Sequence, residues 1–194
     1  MKPIVLASTS PYRRELLARL RLPFEAVAPA VDERAAPGEE PAATALRLAG
    51  AKAKAVARQR PDALVIGSDQ VADLDGEHLN KPGSHAAALA QLRKLQGRSA
   101  VFHTALALAS AGAVVEATVV PTTVHFRRLD DAALDAYLRV DLPYDCAGAA
   151  KIESLGIALV ERVQSDDPTA LIGLPLIRLV TMLAAHGVAL PLAG

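Results

Sequence analysis

The sequence predicts a mixed α/β fold in a single domain. Three observations carry this. Short apolar runs rich in β-branched residues alternate with helical patterns along the 194-residue chain. Asp75-Gly76 and an Ala-Gly-Ala step mark hairpins inserted among them. No repeat, low-complexity segment or linker divides the chain, and this length buries a sizeable core without staples.

Residues 3–8 (PIVLAS) form the first buried strand, and a helix follows at once. Ser10 serves as its N-cap and Pro11 as its first residue, Leu16, Leu17 and Leu20 share a face, and Pro23 ends it. Residues 24–29 (FEAVAP) alternate as a second strand, and 31–41, with its prolines and carboxylates, is a loop. Leu46, Ala49, Ala53 and Val56 set a helix over 44–60. Residues 62–74 are a strand pair or one bent strand, closed by the Asp75-Gly76 turn. An alanine-rich helix over 84–97 ends at Gly97, and strands 100–110 and 113–126 pair across the Ala-Gly-Ala turn. Residues 130–140 make a helix with Asp130 at its cap, 156–163 a strand, and 174–187 a terminal helix ended by Gly187.

Composition narrows the function. The 21 basic and 21 acidic residues cancel, which argues against a partner that is a nucleic acid polymer. Cys146 is the single cysteine, so no internal disulfide forms, as suits a reducing compartment. The N-terminal apolar run is too short for a signal peptide or a membrane span. The expectation is a soluble cytoplasmic protein without a membrane partner.

Several residues could carry chemistry. At the first strand-to-helix seam, backbone N–H groups and the helix dipole favour an anion. Ser8, Thr9 and Ser10 add hydroxyls, and Arg13 and Arg14 add guanidinium forks suited to phosphate. The seam reads either as a polyphosphate site or as a capped helix with solvated arginines. Asp32, Glu33 and Asp69 stand in a loop and just after an apolar strand. Converging carboxylates there would hold a hard divalent cation; separately, they are a turn residue and loop charges. Lys52 and Lys54 project about 200° apart on a helix, so one of them can face a site, and Lys81 lies in a loop before Pro82. These lysines neutralise phosphate or decorate the surface. The five histidines show no metal-ligand spacing, and His103 reads as a hydrogen-bonded core histidine.

In order and spacing, the segments LASTSPYRRELL, VDE, LRLAGAKAKAVA, VIGSDQV, GEHLNKP, LRKLQGRSAVFHTALAL and DLPYDCAGAAKIESLGIALVERVQSDDPTALIGLPL resemble the Maf family of nucleoside triphosphate pyrophosphatases. The resemblance implies an elongated mixed central sheet flanked by helices, with a cleft between two lobes, as in Maf and ITPase-like proteins. It implies hydrolysis between the α and β phosphates with a divalent metal, Mg²⁺ or Mn²⁺. It gives Asp69 as general base, Glu33 and Asp69 near the metal, and Ser8, Arg13, Lys52 and Lys81 on the phosphates. The trio Tyr12, Gln70 and Glu153 is similar to the 7-methyl-GTP pyrophosphatase branch, although that branch often has tryptophan where Tyr12 stands.

The chemistry of the base agrees with that branch. Methylation at N7 makes guanine a cation, which gains ~0.5–2 kcal/mol over the face of an electron-rich ring, and Tyr12 offers one. Guanine's N1–H and N2–H suit the two oxygens of Glu153, and Gln70 is expected to complete the edge at O6. Two alternatives stand beside this expectation. One is a pyrophosphatase for dTTP, UTP or other non-standard nucleotides. The other is a nucleotide-binding regulator of cell division with little turnover. A homodimer is a further expectation.

Overall fold

A computed structural model describes residues 2–191. The chain runs β1 (Ile4–Ala7), α1 (Pro11–Ala18), β2 (Glu25–Val27), α2 (Pro41–Gln59), β3 (Leu64–Leu74), β4 (Glu77–Leu79), α3 (His85–Leu95), β5 (Ser99–Ser110), β6 (Ala113–Phe126), α4 (Asp131–Asp141), β7 (Val160–Ser165) and α5 (Leu176–Ala185). The strands form one mixed sheet in the order β2-β1-β3-β5-β6-β7, with β4 paired to β3.

Local signals set most boundaries. Ser10 caps α1 by accepting from the Arg13 backbone N–H, with Pro11 at the first position. Ser84 and Asp130 do the same for α3 and α4. Asp75 and Gly76, both at positive φ, turn β3 into β4, and Ala111 and Gly112 turn β5 into β6. One open alternative is decided and two boundaries differ from the sequence reading. Residues 62–74 hold a single strand, whose two halves pair on one side with β1 and then β4. α2 starts at Pro41, earlier than the expected residue 44, because Pro41 takes the N-terminal position where a missing N–H costs nothing. The strand expected over 156–163 begins only at Val160. Leu155–Leu159 winds as a 3-10 helix, since Gly156 lies against Lys151, where a Cβ would meet the carbonyl at 2.4 Å.

The sheet face opposite α2 carries two separate cores. Leu64 and Ile66 of β3 pack with Leu106 and Leu108 of β5 under α1 and α5. Ala72 and Leu74 pack with Ala100 and Phe102 under α3 and α4. Between them on the same face lie the polar residues Ser68, Gln70 and Thr104, dividing the molecule into two lobes. α2 covers the other face through alanines, with Ala45, Ala49, Ala53 and Ala57 meeting Ala105, Ala107 and Ala109.

The division also opens an edge. β5 pairs with β3 along Leu64–Asp73. On the opposite side β1 pairs only as far as Gly67, and β4 begins at Ala72. Residues 68–71 of β3 therefore have no strand neighbour on that side. The gap lies just past the carboxyl end of β1, where ligand sites gather in α/β sheets.

Candidate active site

A cavity of 590 Å³ fills this gap, within the size range of small-molecule sites. Ser8, Tyr12, Arg13, Glu33, Lys52, Asp69, Gln70, Lys81 and Glu153 all line it. Residues spread over most of the sequence are thus brought together by the β1–α1 seam, the loop between β2 and α2, α2, the edge of β3, the loop after β4 and the segment before β7.

At one end, Lys52 and Asp69 form the centre. Lys52 is buried on α2, and its Nζ lies 2.7 Å from Asp69 Oδ1 and 3.0 Å from Glu33 Oε2. Lys54 points to solvent, so the helical separation read from the sequence leaves Lys52 as the inward lysine. Asp69 is 6% exposed, and its Oδ2 has no hydrogen-bond partner among the described residues. A buried pair of this kind is strong only while both partners are present.

Arg13 comes from α1. Its Nε donates to the Gly173 carbonyl at 2.8 Å, which fixes the guanidinium plane. Burial opposes its charge, and the Asp69 and Glu33 carboxylates counter that effect. Ser8 is buried and accepts from the Ser10 N–H, which leaves its hydroxyl hydrogen able to donate. Lys81 is exposed on the cavity rim, with no ion pair among the described residues. Arg14 and Asp32 stay outside: Arg14 is exposed, and Asp32 is held by Arg34 in a bidentate pair on the surface. His103 bonds to Asp73 at 3.2 Å, as its place in an apolar strand suggested.

One expectation about Gln70 needs correcting. Its Nε2 donates to Thr104 Oγ1, Ala170 O and Leu171 O, all within 3.1 Å. Two amide hydrogens are engaged by these three acceptors, so no donor remains for guanine O6. Gln70 instead ties β3 to the wall formed by residues 170–173.

Sequence reading missed that wall. Asp167, 2% exposed, accepts from Thr169 on one oxygen and from the Ile177 and Arg178 backbone N–H groups on the other. It thereby caps α5 and folds back the segment bearing Ala170 and Gly173. The Asp-Asp-Pro-Thr run before a leucine-rich helix was the available signal.

The other end of the cavity holds Tyr12, Asp145, Cys146 and Glu153. Lys151 lies with its Nζ 5.4 Å from the centroid of the Tyr12 ring. Burial, with the Asp141 and Asp145 charges, holds the Glu153 carboxyl above its usual range. Burial, followed by the charges of Asp145 and Glu153, pushes the Cys146 thiol up to about 12. The thiolate is the reactive form, so Cys146 is protonated near neutrality. Iodoacetamide is expected to label Cys146 at pH 8 more slowly than a free thiol, with labelling rising as pH approaches 12. Peptide mass spectrometry checks this, and labelling at the free-thiol rate would contradict it.

No group of three or more His, Cys, Asp or Glu among the described residues is arranged to hold a metal by itself. Glu33 and Asp69 nevertheless suit a hard cation that takes few carboxylates and completes its shell with water and phosphate, because both already approach one positive centre, the Lys52 ammonium. No helix among the described residues is long and apolar enough to cross a membrane.

Comparison with known proteins adds to this geometry. The family model described as "Maf-like protein" matches residues 3–186. A protein named 7-methyl-GTP pyrophosphatase from Thiobacillus denitrificans is 63% identical over 95% of this chain and 92% of its own length. Proteins of the same name from Ralstonia nicotianae and Cupriavidus metallidurans are 61% and 59% identical, over 93% and 95% of this chain and 94% and 93% of their own. Among solved structures, the Staphylococcus aureus Ham1 protein matches with a TM-score of 0.45 at 22% identity, over 67% of this chain and 73% of that one.

Proposed function

This chain belongs to the Maf family, and from that premise we propose that it hydrolyses the α–β phosphoanhydride of 7-methyl-GTP, giving 7-methyl-GMP and diphosphate. One observation carries the reading. A single cavity joins a charged centre of Lys52, Asp69, Glu33 and Arg13 to an end lined by Tyr12 and Glu153. The first suits a triphosphate and the second a cationic purine. The names of relatives at 59–63% identity support the same substrate.

In this reading Arg13, Ser8 and Lys81 hold phosphate oxygens, and Lys52 keeps its contact with Asp69 Oδ1 while its remaining donors turn toward the phosphates. Glu33 and Asp69 would hold Mg²⁺ or Mn²⁺, which when bound would supply positive charge against the phosphates and the departing diphosphate. Asp69 orients a water and accepts its proton through Oδ2 for in-line attack on the α-phosphorus. The acceleration comes from positioning and preorganised charge rather than from a covalent intermediate. Glu153 accepts from N1–H and N2–H, while Tyr12 stacks on the methylated ring. The proposed setting is the cytoplasm.

Diphosphate release measured across 7-methyl-GTP, GTP, dTTP, UTP and CTP, with Mg²⁺ and with Mn²⁺, tests the reading. The highest kcat/KM is expected for 7-methyl-GTP. Glu153→Gln, which removes one acceptor oxygen, is expected to shift selectivity toward dTTP and UTP. A wild-type preference for pyrimidines would overturn the substrate assignment, and no release from any nucleotide would overturn the enzymatic one.

A further inference from the structure

The base end of the cavity carries more charge than recognition of the guanine edge requires. Asp145 and Glu153 both line it, and the Cys146 thiol, in the same lining, contacts Asp145 Oδ1 at 3.5 Å without adding a charge. Lys151 lies close by but forms an ion pair with neither carboxylate among the described residues. Its ammonium lies instead over the Tyr12 ring. One face of the Tyr12 ring is thus already a place where a positive charge rests, and a face cannot hold both a lysine and a purine.

We propose that Asp145 is a further specificity-determining residue, and that Lys151 over Tyr12 occupies in the free protein the position taken by the charged ring of the substrate. This rests on the 7-methyl-GTP reading and extends it. When the purine takes the Tyr12 face, Lys151 moves to solvent, which its flexible stem allows. Asp145 and Glu153 then face the ring without their local cation. A 7-methylated purine restores a positive charge between them. Neutral guanine leaves two carboxylates uncompensated, so discrimination comes from the field of the pair and from more than the edge contacts of Glu153.

Two variants separate the parts of this proposal. Asp145→Asn keeps shape and removes the charge. The ratio of kcat/KM for 7-methyl-GTP to that for GTP is expected to fall about 5–10-fold, the size of one half-screened charge at close range. Lys151→Met removes the occupant without touching the purine once it is bound. KM is expected to fall for both nucleotides by a similar factor, with their ratio kept.

An unchanged ratio in Asp145→Asn overturns its role, as does an equal loss on both substrates, which a merely structural role would give. A KM that stays constant or rises in Lys151→Met overturns the part played by the lysine. The wild-type enzyme is measured first. If it fails to distinguish 7-methyl-GTP from GTP, the substrate reading and this extension fall together, whereas wild-type discrimination that survives Asp145→Asn sinks the extension alone.

Discussion

Asp69→Asn is expected to keep the fold and lose at least ~10²-fold in turnover, equivalent to about 2.7 kcal/mol of barrier. The carboxylate is nearly buried, and Oδ1 is engaged by Lys52 at 2.7 Å. That contact fixes the side chain so that Oδ2 faces the cavity. An amide of the same shape can still fill the site but cannot take a proton from water at neutral pH. Breaking a buried pair often destabilises strongly because the remaining charge has no partner. Here Glu33 lies 3.0 Å from the same ammonium, and the cavity admits water, so Lys52 retains compensation. The melting temperature should therefore fall far less than turnover. Diphosphate release and thermal melts on the same preparation separate the two effects. Turnover near that of the wild type would remove Asp69 from the chemistry, and an unfolded variant would show that the pair is structural first.

Local signals made much of this fold legible. Ser10 and Pro11, Asp75 and Gly76, and the inward Lys52 beside an outward Lys54 each follow from chemistry within a few residues. The ordered motifs named residues that line one cavity, because they were read together rather than one by one. Contacts of long sequence separation stayed hidden. Ser68 and Gln70 look like ordinary strand residues, yet they reach the carbonyls of residues 170–173 about 100 positions away. That commitment removes the donor that Gln70 was expected to offer the base. The 3-10 helix at Leu155–Leu159 was equally hidden, since Gly156 is pressed on Lys151 by folding of the loop and the local apolar pattern favours a strand. Lys151 over Tyr12 joins residues far apart in sequence, and no periodicity announces it.

The second large effect concerns how closely α2 lies on the sheet. In Gly67→Ala, the new Cβ would stand 2.3 Å from Ala49 O, 2.7 Å from Ala53 N and 2.8 Å from Ala53 Cβ. Two of these contacts are backbone and cannot swing away. Alanine suits a strand better than glycine does, so the whole penalty is steric. Overpacking a well-packed core costs about 1–3 kcal/mol, and a clash with helix backbone places this variant at or above the upper end. For a chain of this size that lowers the melting temperature by roughly 6–12 °C. The strain also reaches the chemistry. Gly67 lies two residues before Asp69, and Ala53 follows Lys52, so displacing α2 lengthens the Lys52–Asp69 contact and turnover falls with stability. Gly50→Ala in the same helix is the control, because its Cβ meets only Val114 Cγ2, at 3.6 Å. Replacing that helix-interior glycine should stabilise by about 0.5–1 kcal/mol and leave the site geometry as it is. If Gly67→Ala melts within a degree or two of the wild type with full activity, the close approach of α2 to β3 does not set the position of Lys52, and the coupling between alanine packing and catalytic geometry fails.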